Sequence, residues 1–526
     1  MLGAEERRMK EQHLPESQLA YKIELAASGL RDGPHGLDLP STTERLNRVR
    51  ALRDAWTRLE FNEPLSYTLP FTRHNEKAYR YAAGVLARGS FSGKEHPTDE
   101  EMDEYNLYGD YSCFSYFDTG PPRPEHHTQL CVSECLAGPP FESVVDYVGI
   151  PYAKQALALD PSQDLVVFVD LAPGPELNGR RETMIARVYL RKFSAPSEAH
   201  PDGHHGDLIL EMQFIDDDDL YSNMSLEVTD DVVGLWVSSE VDGRMWITIW
   251  NWKTSEELVV GAFAECVTQA NLGLTSFILT ACEEGDEGIW LYEFGGEQRS
   301  HHERPATLVA RLQLPPIRSK LTTQDISVSA GTWFARIPDG APFGVDNADR
   351  LYAFVVTYSS KPHVVIIIRG HTLQRVIEET RTKDRKDVPF QSWLLSGSHI
   401  LRFRQPKNYY APEPVQCVHG QRVLFATRKG GLTIADFSTR PNGAKPTTIG
   451  IGQHGRFIDA TALEALEDVY KAEAATILRE RVQMPCYVSN ISAIGNIERV
   501  DAVMLGDSEI VTVRKDVRED PAAAGR

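Results

Sequence analysis

From residue 62 onward the chain is a succession of short apolar runs rich in Val, Ile, Phe, Tyr and Trp, each cut off by Gly, Pro, Asp or Ser. "DLVVFVDL", "ARVYLRKF", "DLILEMQF", "DVVGLWVSSE", "WITIWNW", "TSFILTA", "GIWLYEF", "LYAFVVTY", "PHVVIIIRG" and "EIVTVRKD" follow one another with one long helical candidate among them, residues 460–482. β-Branched and aromatic side chains fit a pleated, half-buried surface, and punctuated runs of this length read as strands joined by turns. Parallel α/β folds need a helix between successive strands, so this pattern excludes them and predicts a mainly β chain.

Residues 230–259, "DDVVGLWVSSEVDGRMWITIWNWKTSEELV", show the unit best: a strand, an Asp-Gly turn, a strand closing in Ile249-Trp250-Asn251-Trp252, and a polar turn into the next strand. That is the grammar of a propeller blade, in which a Trp near the end of the third strand fills the wedge against the neighbouring sheet. Trp250 and Trp252 are two residues apart and so share one strand face, and Trp252 is expected to lie between sheets. Weaker echoes at 288–297 and 431–441, at repeats of about 45 to 60 residues, predict about seven blades over 62–526. A propeller closes on itself to remove its sheet edges, so residues 509–513 are expected to share a blade with strands near 78–88 or 112–118.

The N-terminus follows another period. Ile23, Leu25 and Leu30 mark a first helical segment; Ser41, with Glu44 three residues on, is a candidate cap for a second. In that second segment Leu46, Val49, Leu52, Ala55, Trp56 and Leu59 recur at three- and four-residue steps, an amphipathic stripe expected to dock on the β domain through Leu52, Trp56 and Leu59. Before Leu19 the apolar side chains are too few to order a bundle against a backbone entropy of roughly 1 to 2 kcal/mol per residue, so residues 1–18 are expected to be a disordered or single-helix tail.

Charge and cysteine usage narrow the partners. Across 526 residues the formal net charge is −20, the reverse of a phosphate-binding surface, so no nucleic acid is expected. No apolar run approaches the roughly 18 to 20 residues that span a bilayer, and the first residues are charged. The seven cysteines are mostly set singly in apolar runs, as Cys266, Cys282 and Cys417 are. An intracellular protein, cytoplasmic or nuclear, with reduced core thiols and no membrane partner is expected.

Motifs that carry chemistry are weak. Gly450, Gly452 and Gly455 have dinucleotide-loop spacing but follow no apolar strand, and "GSFSGKE" is too short for a phosphate loop. His126, His127, Cys131 and Cys135 have zinc-type donors, yet the alternation of "QLCVSECL" makes the cysteines core residues of a strand. His200, His204 and His205, and His301 with His302, read as blade-edge turns, and Asp216–Asp219 as a solvated turn. No catalytic, cofactor or metal residue is therefore assigned.

Taken in order, "LAYKIELAASGLRDGP", "ERLNRVRALRDAWTRLEF", "DPSQDLVVFVDL", "IWNWKTSEELV", "VQCVHGQRVLFA", "MPCYVSNISA" and "DAVMLGDSEIVTV" resemble a group of fungal F-box proteins over nearly the whole chain. The resemblance implies an F-box, a linker helix pair and a degenerate, WD-repeat-like β-propeller. Residues 19–61 then correspond to the linker. Of the F-box only the start at Leu14-Pro15-Glu16 is matched, a remnant or simply a helix N-terminus, so binding of a Skp-type adaptor is expected to be weak or absent. The function expected is a protein-interaction module like the substrate-recognition part of a ubiquitin-ligase subunit, not an enzyme, with a protein client. The alternative is a propeller-based enzyme with its site at the channel mouth.

Overall fold

The computed structural model describes residues 15–34, 40–58, 78–82, 85–92, 127–134, 143–148, 153–173, 176–177, 180–181, 183–203, 207–213, 221–239, 245–263, 266–271, 273–282, 287–295, 306–334, 336–337, 341–359, 362–383, 386–394, 398–404, 417–426, 432–438, 455–458, 469–471, 474, 486–491, 500–505 and 510–514. They divide into two compact units, one of Met1–Leu65, Glu284–Trp290 and Val309–Arg526, the other of Ser66–Glu283 and Leu291–Leu308. The N-terminal segment thus belongs to the unit that holds the C-terminal third of the chain.

The chain is mainly β. Five sheets pair their strands in chain order, as a propeller blade does. Three lie in the second unit: Ala78–Ala82, Val85–Ser92, His127–Glu134 and Ser143–Val148; Ala153–Asp160, Leu165–Pro173, Thr183–Lys192 and Asp207–Gln213; Tyr221–Thr229, Val232–Ser239, Met245–Asn251 and Glu256–Phe263. The fourth runs Cys266–Asn271, Ser276–Ala281, Gly288–Glu293 and Thr307–Gln313, with Asp387–Val388 added in parallel to its last strand. The fifth, in the first unit, runs Thr323–Ala330, Leu351–Tyr358, Pro362–Arg369 and Ser398–Arg404. A sixth sheet departs from the meander: after Val418–His419, Arg422–Ala426 and Leu432–Asp436 comes Cys486–Ile491, with Gly455–Ile458 outermost. The expected seven blades are not confirmed; five blades and this sixth sheet are seen among the described residues.

The blade core follows from strand alternation. In the second unit Val167, Val169, Ala186 and Val188 face Leu226, Val228, Val233 and Leu235, and Trp250 and Trp252 join the same apolar cluster. Trp252 is fully buried and sits one residue past the end of its strand.

Two expectations are corrected. The closing strand Ile510–Arg514 pairs with Val500–Leu505, and Ala78–Ala82 pairs with Val85–Ser92. No pairing joins the two among the described residues, and 112–118 lie outside them. The helix expected over 460–482 does not run through 469–471. There Tyr470 bridges Ile317, the Lys471 N–H donates to Pro316 O at 2.9 Å, and the Arg318 N–H donates to Val469 O at 3.0 Å. The Tyr470 ring is fully buried with its hydroxyl 3.3 Å from that of Tyr358. Pairing with residues 316–318 thus replaces helical bonding at 469–471, whereas Ala474 is helical; 459–468, 472–473 and 475–485 are outside the described residues.

Four helices are described: α1 (Glu16–Ser28), α2 (Thr42–Arg58), α3 (Gly370–Thr380) and α4 (Phe390–Trp393). Helix α3 lies where a strand pattern was expected to continue into a turn, yet Leu373, Val376, Ile377 and Thr380 form its buried face at helical spacing.

Candidate functional site

The helical segment is built into the first unit. Helix α1 ends at Gly29, whose φ of 64° is the left-handed conformation that glycine adopts without a Cβ penalty. The chain then becomes a strand: Leu30, Arg31 and Asp32 pair antiparallel with Val345, Gly344 and Phe343. The register is extended by the Asp346 N–H donating to Gly29 O at 2.9 Å and the Gly33 N–H donating to Pro342 O at 3.0 Å.

Helices α1 and α2 are cross-braced. Tyr21, Leu25, Leu46 and Val49 form their shared core. The buried Glu24 carboxylate accepts from Arg50 Nε at 3.2 Å and from Arg53. Asp32 Oδ1 accepts from Arg45 Nη1 at 2.7 Å and lies 2.9 Å from the Tyr21 hydroxyl, over whose ring the Arg45 guanidinium sits at 5.3 Å. Burial, and then the neighbouring Asp32, push the Tyr21 phenol well above its usual range.

The far end of α2 supplies the anchor. Trp56 is buried among Leu351, Ala353, Val365, Val423 and Phe437, and Leu52 packs against the same cluster. The Arg422 guanidinium lies 4.4 Å from the Trp56 ring centre, and its Nε donates to Asp436 at 3.4 Å. Leu59 and Leu14 fall outside the described residues; Pro15 immediately precedes α1.

Gln421 links this clasp to the blade ends. A Cβ on Gly29 would stand 2.5–2.8 Å from the Gln421 side chain, so glycine is required there twice over, for its φ and for this approach. Gln421 Nε2 donates to the backbone carbonyl and carboxylate of Asp349, whose other partners are Arg369 Nη1 at 2.8 Å and His371 Nδ1 at 2.9 Å. A carboxylate only accepts, so His371 donates from Nδ1. An Asp–His pair is half of a nucleophile-activating relay, but among the described residues His371 is bonded to no hydroxyl or thiol.

The second unit carries a comparable knot. Asp160, 1% exposed, accepts from the Ser162 N–H and hydroxyl and from Gln163 Nε2. Gln163 Nε2 also reaches Asp230 O, which accepts the Trp252 indole N–H at 2.9 Å. His200 stands edge-on to Trp252 at 5.0 Å, with Nε2 2.8 Å from Gln163 O and Nδ1 accepting the Asp202 N–H at 3.2 Å. Both of its ring nitrogens are engaged, which suits a structural residue in a turn.

Among the described residues no three His, Cys, Asp or Glu side chains stand together as a metal site, and no helix is long and apolar enough to cross a membrane. His127 and Cys131 fall on the strand His127–Glu134, and Gly455 begins the strand Gly455–Ile458. His126, Cys135, His204, His205, Asp216–Asp219, His301, His302, Gly450 and Gly452 are outside the described residues.

The class that these observations define is a mainly β protein with propeller blades and a clamped N-terminal helix pair. No family model matches the chain, and no curated protein matches it. Among solved structures it is similar to hydrazine synthase from Kuenenia stuttgartiensis, at 10% identity over 76% of this chain and 94% of that one, with a TM-score of 0.32. It is likewise similar to TolB from Acinetobacter baumannii (12% identity, 69% and 76% covered, TM-score 0.27) and to the WD40 domain of SCAP from fission yeast (10%, 71% and 93%, 0.28). Likeness at this level carries no functional argument.

Proposed function

We propose that the chain is a protein-interaction module, resembling the substrate-recognition part of an F-box ubiquitin-ligase subunit, in which the blades hold a protein client and the helix pair carries the connection to a ligase scaffold. The observation that supports this reading is the clasp: a linker paired as a strand, braced by Glu24 and Asp32 and anchored by Trp56. A ligase subunit must hold its client at a set offset from the scaffold, and a stiff connection concentrates the client there where a flexible one dilutes it. The net charge of −20 disfavours a nucleic-acid client.

The test is a pull-down of the full chain and of Trp56→Ala, read by mass spectrometry, with the lifetimes of captured proteins followed after depletion of the chain from cells. Captured clients should be shared by both forms and should live longer on depletion. Clients whose turnover ignores the chain would overturn the ligase reading. Coupling to the scaffold is expected to run through the helix pair, with direct binding of a Skp-type adaptor at Leu14-Pro15-Glu16 weaker than micromolar; tighter co-purification would reverse that part of the proposal.

A further inference from the structure

Where the end of α1 and the middle of α2 meet the Val418–Ala426 hairpin, Ser28, Leu30, Val49, Leu52, Gln421 and Arg422 help to line a cavity of about 10 Å³. On the same measure, one water molecule needs roughly 10–15 Å³. Two of the lining residues, only 8% and 2% exposed, each carry a buried polar atom with no hydrogen-bond partner among the described residues: Ser28 Oγ and Gln421 Oε1. Buried polar atoms are nearly always paired, so such a couple in one cavity calls for a partner.

The chemistry selects that partner. Gln421 Nε2 faces two acceptors of Asp349, the backbone carbonyl and the carboxylate, which fixes the amide orientation and leaves Oε1 as the unpaired end. An amide oxygen only accepts, whereas a hydroxyl donates or accepts. A halide has no proton to give Oε1, and an apolar guest satisfies neither atom. A water has two protons and two lone pairs.

We propose that this cavity is a binding site for a single water molecule that donates to Gln421 Oε1 and exchanges a hydrogen bond with Ser28 Oγ. The water joins the last turn of α1 to the loop that also holds Asp349, so the clasp is closed through solvent as well as through direct bonds. The inference does not depend on the functional reading above.

The test is a crystal structure of the full chain at a resolution that shows buried waters, with a second crystal soaked in bromide and a third of Ser28→Ala. A peak roughly 2.6–3.2 Å from both atoms, silent in the bromide anomalous map and weakened in Ser28→Ala, is the expected result. An empty cavity, a peak touching only one of the two atoms, a peak unchanged in Ser28→Ala, or a bromide signal would each overturn it. Should Ser28→Ala not fold, the native and bromide crystals decide alone.

Discussion

Trp252 shows how one side chain can hold two sheets. It is fully buried, its indole N–H is bonded to Asp230 O and its edge meets His200. Trp252→Ala is expected to cost about 3–5 kcal/mol, as for other large core aromatics. Trp252→Phe should recover much of the packing but lose the indole N–H bond to Asp230 O, which keeps its bond from Gln163 Nε2; urea unfolding of the three forms checks this. Its burial was readable from the sequence because a two-residue spacing fixes the strand face. The knot with Asp160, Gln163 and His200, reached through Asp230 O and the His200 ring, was not, because those residues are brought there by turns 50 or more positions away. The stretches "DPSQDLVVFVDL" and "IWNWKTSEELV" are two sides of this one knot.

The buried tyrosines make a pH prediction. Burial raises Tyr358 well above its usual range and Tyr470 to about 12. A phenol whose folded pKa is raised contributes stability that is complete below its unfolded value near 10 and is lost as pH climbs through the folded value. Unfolding midpoints should therefore fall between about pH 10 and pH 12, and Tyr470→Phe should flatten that fall. A fall of equal steepness in Tyr470→Phe would assign the effect elsewhere.

At the scale of elements, the helix pair and α3 teach opposite lessons. The stripe Leu46, Val49, Leu52 and Trp56 was legible as an amphipathic face, and three of its members are buried, with Leu52 packed on the cluster around Trp56. The three-residue strand Leu30–Asp32 was not legible, since three residues are too few to display a period and its partner lies at 343–345. Helix α3 was legible in principle from Leu373, Val376 and Ile377, but it follows a run of β-branched residues at 364–368 that reads as strand alone. Leu373→Ala is expected to destabilise the first unit by about 2–5 kcal/mol. Trp56→Ala should expose the helix pair to limited proteolysis ahead of the blades. Cleavage there at the wild-type rate would show that the strand pairing and ion pairs suffice without the tryptophan.

For the whole molecule, the division into two units was hidden, because one of them draws on both ends of the chain. Successive strands can be read along a sequence; long-range contacts cannot. Multi-domain chains often leave two-state behaviour, so calorimetry should resolve transitions that answer separately to Trp252→Ala in one unit and Trp393→Ala in the other, whose fully buried ring belongs to the first. A single transition lowered equally by both would mean that the units unfold as one block. The blade count was the least legible quantity: repeat length alone cannot tell a meander blade from the sixth sheet, in which Cys486–Ile491 inserts ahead of Gly455–Ile458.

The pairing of residues 30–32 with 343–345 also sets a timetable for synthesis. With translation at roughly 5–20 residues per second, the partner strand leaves the ribosome some 15 to 60 seconds after the N-terminal helices have emerged. For that interval Leu46 and Val49 can pack on α1, but Leu52 and Trp56 lack the strands that later cover them, long enough for a nascent-chain chaperone to bind and be released. Residues 30–32 are made well before 343–345, so the clasp is begun early and closed late.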